Sequence, residues 1–438
     1  MSHRWSRTIL SLTVASLLIT SCGKKFSSDQ PLPVSYYPSV IISSDNYVVY
    51  AVNPATGAKN WQFSLPYADT IGTTGIPFKP SAIVYHERVY VTAANSDTVY
   101  KLNSNTGALI AKLTVSGHAT VSYPLHFFNI AATPIADANM LYLATTNDTL
   151  YAIDTGTGET KWKFGAADGS AFNASPVIYN GNIYVATIGA GGMGSGVING
   201  HMYCMNKTSG PDASGNPIWD YPGLGVVSNA SFVSSPSVSA PFIYAGSASD
   251  SNMYCIYLNP PVPASPPVPL VGVANWTYKT GGNILSSPTT YAGICIFGSD
   301  DFYVYCLDTA AASIARNAYR WRYFTGGQVR TSPIISNQVV YAGSYDYYLY
   351  ALNIIDGTKK WAYKTKGLIK SSPLPYNGAV YVGSYDNYLY SIDTAFGSLK
   401  WNFYVGGNIE SSPCIDDLSG NNQLNSGISG YNTSTNTN

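Results

Sequence analysis

One motif recurs eight times in this 438-residue chain. The copies read VVYAVNPATGAKNWQF (48–63), TVYKLNSNTGALIAKL (98–113), TLYAIDTGTGETKWKF (149–164) and HMYCMNKTSG…IWDY (201–221), then NMYCIYLN…ANWTY (252–278), YVYCLDTA…YRWRY (303–323), YLYALNIIDGTKKWAY (348–363) and YLYSIDTAFGSLKWNF (388–403). Trp61, Trp162, Trp219, Trp276, Trp321, Trp361 and Trp401 mark one slot in seven of them, and Ala111 fills it in the second. Successive slots lie 40 to 57 residues apart, tightest toward the C-terminus. A period in this range marks an array of small units that bury their faces against one another.

Each unit predicts four short strands. In the seventh they are SPIIS, VVYAGS, YLYALN and KWAYKT, separated by the turn-like SNQ, YDY and IDGTK. Tyr, Val, Ile and Leu occupy both alternate positions of these runs, so both faces of each sheet are expected to be covered by neighbours. That pattern predicts an all-β, eight-bladed β-propeller of four-stranded antiparallel blades, over a solenoid or a string of sandwiches. The first copy lacks a first strand: VIISSDNYVVYAVN (40–53) aligns with VYVGSYDNYLYSID (380–393). NIESSPCIDD (408–417) is a first strand with nothing after it but a polar tail. Together they complete one blade, so the ring is expected to close through a blade shared between the N- and C-termini. Such closure leaves no unpaired sheet edge at the ends of the chain.

The motif resembles the quinoprotein-type repeat, LYALDxxTGxxxWxF. Members of that family form eight-bladed propellers, and the resemblance implies that the tryptophans pack between blades and dock near the turn glycine. Gly57, Gly158, Gly357 and Gly397 each stand four residues before a tryptophan. The enzymatic branch, quinone-dependent dehydrogenases, uses a vicinal Cys–Cys pair and a calcium ion. The chain has no adjacent cysteines, and its compact C-terminal repeats leave no space for the long inserted loops of those enzymes. No nucleophile–base pair or spaced carboxylate dyad is legible, so the chain is expected not to be an enzyme and to carry neither cofactor nor metal.

Targeting is read from the first residues. Arg4 and Arg7 precede an apolar run, Ile9 to Ile19, too short for a folded membrane span. It ends in ITSC, which resembles the bacterial lipobox and implies lipidation of Cys22; the alternative is an ordinary signal peptide with an incidental cysteine. The expected organisation is a signal peptide (1–21), a tether (22–37), the propeller (38–417) and a disordered polar tail (418–438). By resemblance to Gram-negative lipoproteins, Gly23 after the cysteine favours the outer membrane, with the domain facing the periplasm or the cell surface. Fold and anchor together resemble the BamB-type lipoproteins of outer-membrane barrel assembly, which implies a non-catalytic scaffold that binds envelope proteins through loops of one ring face. The chain departs from that type by long inserts in blades four to six. The rival reading is a ligand-binding envelope propeller for a quinone or a glycan. The expected state is a monomeric propeller. With Lys+Arg 23 against Asp+Glu 23 and no basic block, nucleic acid is not an expected partner.

The residues immediately before each first strand, Asn173, Val233, Leu285, Arg330, Lys370 and Glu410, are expected to ring one mouth of the channel. Arg330, Lys370 and Glu410 on three consecutive blades, with Asn173, are the candidate partner-binding rim; the alternative is a solvated, mutually paired rim. Cys204, Cys255 and Cys306 take the slot that Ala51, Ala152 and Ala351 fill in sister units, which predicts buried thiols. The five cysteines after Cys22 are expected to be buried and unpaired, with Cys295 and Cys306, on neighbouring strands, as the alternative disulfide. GAGGMG (189–194) matches a dinucleotide-loop pattern but runs into a strand rather than a helix, so it reads as a lengthened hairpin loop. The Pro-rich NPPVPASPPVPL (259–270) reads as a stiff decorated loop. His118 and His126 lie in a long connection without a third ligand, and His86 and His201 read as isolated.

Overall fold

The computed structural model describes residues 37–65, 81–92, 98–114, 132–166, 168–189, 200–223, 229–261, 270–310 and 319–417. Cys22, the signal and tether segments up to residue 36, His118, His126, all of GAGGMG beyond Gly189 and the tail 418–438 lie outside these residues. The described chain forms eight sheets and no α-helix. Seven sheets are four-stranded and antiparallel, each built from consecutive strands apart from the shared one and blade 5, whose third and fourth strands are separated by Leu270–Val271.

Blade 7 shows how sequence makes the unit. Its strands are Ile334–Ser336, Val339–Gly343, Tyr348–Asn353 and Lys359–Lys364. The first two are joined by Asn337 and Gln338, both with positive φ (49° and 60°), the two-residue hairpin turn whose twist suits the flanking strands. The second strand is buried at every position, and the third at its four central ones. The fourth buries only Trp361 and is exposed at both ends, because it is the outer strand. Between third and fourth strands, the Asn353 side chain accepts from the Ile355 N–H, and the Gly357 N–H closes the turn on the Asn353 carbonyl.

The shared blade is present. The strand Cys414–Asp416 pairs antiparallel with Ser39–Ser43, which pairs with Val48–Val52 and then Lys59–Ser64. Ser39 lies opposite Asp416.

Hydrophobic burial is divided into eight clusters, each spanning two adjacent blades, including one between blades 8 and 1. The tryptophans stitch these interfaces. Each indole N–H donates to a turn carbonyl of the following blade at 2.7–3.2 Å: Trp61 to Ser104, Trp162 to Lys207, Trp219 to Leu258, Trp276 to Thr309, Trp321 to Ile354, Trp361 to Thr394 and Trp401 to Pro54. The glycine beneath the indole is therefore the next blade's, not the one four residues before it in sequence. A Cβ at Gly57 would stand 2.8 Å from the Trp401 ring, and one at Gly397 2.7 Å from Trp361.

A second stitch runs inside. The hydroxyl residue two positions after each rim residue accepts from the backbone N–H of its counterpart on the preceding blade. The order is Ser412 to Ser81, Thr133, Ser175, Ser235, Ser287, Ser332, Ser372 and back to Ser412, at 2.7–3.3 Å. The circuit has eight members, one per blade, and no gap. Each bond contributes on the order of 1 kcal/mol net, and together they fix the spacing of the inner strands.

One expectation needs correction. Blade 4 is five-stranded: Leu270–Val271, the end of the Pro-rich insert of blade 5, pairs in parallel with Trp219–Tyr221 at the outer edge. That two-residue strand covers an otherwise open sheet edge, which a decorated loop would not do. The cysteines are as expected: all five described ones are free and buried, and Cys295 and Cys306 are not bonded. The two are out of register, Cys295 opposite Leu307 and Cys306 opposite Ile296. Burial pushes the thiols of Cys204, Cys255 and Cys306 up to about 12, so they stay protonated and unreactive.

Candidate partner-binding rim

The turn between second and third strands and the loop that leads into the first strand meet at the same end of each blade. Backbone bonds tie them: Tyr345 N–H to Gln328 O, Tyr385 N–H to Leu368 O and Asp45 N–H to Asn408 O. The Asp of the turn supports this junction. Asp386 accepts from the Tyr388 N–H, the Tyr390 hydroxyl and the Lys366 N–H, and Asp346 repeats the pattern with Tyr348, Tyr350 and Gly326. These carboxylates are held inward as brackets, so they are not available to a ligand.

On this support sit the rim side chains. Arg330 Nε and Nη2 donate to the two carboxylate oxygens of Asp300 at 2.8 and 2.9 Å, a bidentate bond from blade 7 to blade 6. The guanidinium also lies 5.4 Å from the centroid of the Tyr345 ring. Hydrogen bonding to Asp300 holds Arg330 further above its ordinary range. On blade 8, Lys370 Nζ donates to Glu410 Oε1 of blade 1 at 2.9 Å and lies 4.6 Å from the Tyr385 ring centroid. The Tyr385 hydroxyl donates to the same oxygen. The cations are about a third exposed, while Asp300 and Glu410 are nearly covered, at 11% and 13%. What solvent meets on this arc is positive charge and tyrosine edge, backed by carboxylate.

Asp45, beside Glu410, has its carboxyl raised by burial, with the negative charge of Glu410 adding and hydrogen bonds from Asn408 opposing. Asn173 does not join the arc. It lies on blade 4, separated from Arg330 by the half-buried Val233 and Leu285 of blades 5 and 6, and its Oδ1 is buried without a hydrogen-bond partner. The arc thus spans blades 6, 7, 8 and 1.

Sequence reasoning missed Asp300, Tyr345, Tyr385 and Asp45. They occupy one repeat position, after the serine of GSD, GSY, GSY and SSD, and aligning that turn across copies identifies them. It also missed a pairing at His201, which is not isolated. His201 is buried with Nδ1 2.7 Å from Asp220 Oδ1 and Nε2 3.7 Å from Asp168 Oδ2, and it stacks on Tyr203. The partners are 19 and 33 residues away in sequence, and nothing local announces them. Among the described residues no group of three His, Cys, Asp or Glu side chains converges as metal ligands. Asp300 and Glu410 are committed to Arg330 and Lys370, so these carboxylates do not form a calcium centre.

Comparison with known proteins gives a consistent picture of the fold. A family model described as "Outer membrane protein assembly factor BamB" matches residues 45–258 and 272–422. No curated protein matches the sequence. Among solved structures, BamB from Moraxella catarrhalis is similar at 16% identity and a TM-score of 0.55, over 84% of this chain and 90% of that one. The computationally designed Ika8 protein is similar at 14% and 0.57, over 76% and 90%. A europium-containing methanol dehydrogenase is similar at 12% and 0.58, over 76% and 79%. At these identities the structural likenesses speak for the propeller alone, which hosts both enzymes and binding proteins.

Proposed function

The chain belongs to the family of the outer membrane protein assembly factor BamB, and from that membership we propose that it is a non-catalytic scaffold of the cell envelope that binds protein partners at the outer membrane during β-barrel assembly. Lipidation of Cys22 and the tether after it would hold the propeller at the membrane. The observation that carries the binding reading is the ordered arc at one mouth, where Arg330 and Lys370 are presented by buried carboxylates and flanked by Tyr345 and Tyr385. Charged side chains fixed in advance lose little entropy on binding, which favours recognition of a partner's acidic or carbonyl groups.

The test is co-purification of cross-linked partners from envelopes carrying the wild-type chain or the Arg330→Ala/Lys370→Ala double variant. Barrel-assembly proteins are expected with the wild type and reduced about tenfold with the variant, the loss typical of removing central charged contacts. Thermal unfolding of both proteins separates lost binding from lost interblade support. Undiminished recovery with the double variant would remove the rim from the reading, and recovery of glycan-uptake components instead would overturn the reading itself.

A further inference from the structure

The outer corner of a blade, where the third strand begins opposite the end of the fourth, changes character around the ring. On blades 1 and 3 the facing pairs are Val48 with Ser64 and Thr149 with Gly165. On blades 6, 7 and 8 they are Tyr303 with Phe324, Tyr348 with Lys364 and Tyr388 with Tyr404. The rings of Tyr303 and Phe324, and of Tyr388 and Tyr404, lie 5.2 Å apart, yet Phe324 and Tyr404 remain 58% exposed. Packing within the blade does not require them.

Charge is sorted at the same corners. The turn carboxylates point inward and are saturated; Asp301, for example, accepts from the Tyr305 hydroxyl and the Gly281 and Tyr303 N–H groups. The cations point outward. Arg322 lies 4.4 Å from the Tyr303 ring centroid and 4.9 Å from that of Tyr319, and Lys364 lies 5.4 Å from Tyr348. Neither cation forms an ion pair among the described residues.

A third observation is independent of both. The residue just before each of these corners sits in left-handed backbone. Asp148 and Asn387 fill that position on blades 3 and 8, residue types that accept it readily, and on blade 1 Tyr47 (φ 63°) takes it while packing half-buried against the core; blades 6 and 7 place Phe302 (φ 76°) and Tyr347 (φ 77°) there. Both are exposed, at 39% and 42%. Backbone strain kept for an exposed aromatic ring points to a contact outside the chain.

The chemistry selects the occupant. Sugars stack on open ring faces, whereas Tyr303 and Tyr348 have faces covered by cations. Arg322 hydrogen-bonds the Tyr305 hydroxyl, and what remains open is the rest of its guanidinium N–H edge, the ammonium of Lys364 and the apolar surface of Phe324 and Tyr404. Carboxylates suit the first two and apolar side chains the others. We propose that the outer corners of blades 6–8 form a second interaction surface, separate from the rim, that docks an acidic protein segment carrying aromatic or aliphatic side chains between its carboxylates.

The probe is a blocked eight-residue peptide alternating Asp and Phe, with the alternating Asn–Phe peptide as its neutral counterpart, titrated onto the full chain and read by NMR at the Arg322 Nε–H and the Phe324 ring. The acidic peptide is expected to shift both signals, and the neutral one to bind about tenfold more weakly. Arg322→Gln/Lys364→Gln should weaken the acidic peptide by a similar factor, while Arg330→Ala/Lys370→Ala leaves it unchanged. Phe324→Ser/Tyr404→Ser, on the exposed surface, supplies a variant whose folding is not at risk and should lose binding as well. Equal binding of the two peptides, no binding at millimolar concentration, or indifference to the corner substitutions overturns the proposal. So does capture of the chain through these residues by phosphatidylglycerol vesicles when the peptide does not bind, because the surface then serves a membrane.

Discussion

Asp45 is the residue at which the rim works against the fold. Burial raises its carboxyl above the ordinary value of 3.8, and Glu410 beside it adds to the shift. A folded-state pKa above the unfolded one means that the fold favours the protonated form. The associated stability is fully present below the unfolded value and is lost as pH rises through the folded one. Ionised Asp45 is therefore a cost at neutral pH, and Asp45→Asn is expected to raise the melting temperature at pH 7. The gain should be small, because the side chain is partly solvated, and should shrink as pH falls through the raised folded value toward the ordinary 3.8; melting curves at pH 7 and below 3.8 check the sign. The rim cations were legible as single residues, since Arg330 and Lys370 occupy a slot that alignment of the copies isolates. Their partners were not. Asp300 and Glu410 meet them across a blade boundary 30 and 40 residues away, a distance set by the ring and not by local pattern. His201 and Asp220 meet within blade 4, where its third strand begins beside its fourth, a pairing that strand register sets and local pattern does not announce.

Blade 2 is the element that breaks the repeat and mends it with different atoms. Elsewhere a small third-strand residue faces the tryptophan: Ala51 faces Trp61, Cys204 faces Trp219 and Ser391 faces Trp401. In blade 2 the pair is Lys101 and Ala111, with the large side chain moved to the other strand. The Lys101 ammonium donates to the Thr155 carbonyl at 2.8 Å, the turn position on the next blade that an indole N–H takes at the other seven interfaces. Burial lowers the Lys101 pKa, with Arg88 adding to the effect. Lys101→Ala alone should destabilise by about 1–2 kcal/mol through loss of that bond. Ala111→Trp alone should also destabilise, by overpacking against Lys101. The double variant restores the small–Trp pair and should exceed both singles, with a coupling above about 1 kcal/mol in a denaturation cycle. The sequence showed that Ala111 was exceptional but not what replaced the indole, because Lys101 looks like an ordinary strand residue until its register is known. The fifth strand of blade 4 was hidden for a related reason: Leu270–Val271 belongs in sequence to one blade and in hydrogen bonding to another.

For the whole molecule, fold class, blade count and the shared blade could be read from the repeat, since eight copies average out local noise. The means of closure could not. Eight interblade clusters, seven indole bonds with one lysine bond, and eight hydroxyl bonds all run in the same rotational sense, and none is interrupted between Asp416 and Ser39. Ser-Pro and Thr-Pro before the first strands were visible as punctuation, but a hydroxyl that accepts from a neighbouring blade has no meaning until the neighbours are in place.

The circuit of hydroxyls has a consequence for where the polypeptide begins. It contains no first or last member, so the order in which ribosomes deliver the blades is a convention of the gene and not of the architecture. A circular permutant that links residue 417 to residue 38 and opens the turn at Ile355–Asp356 would keep every bond of that circuit. It is expected to melt within a few degrees of the original chain in a calorimetric scan, since the cut removes only one exposed turn. A permutant that folds but melts far lower would show that covalent continuity through blade 7, and not the circuit alone, holds the ring.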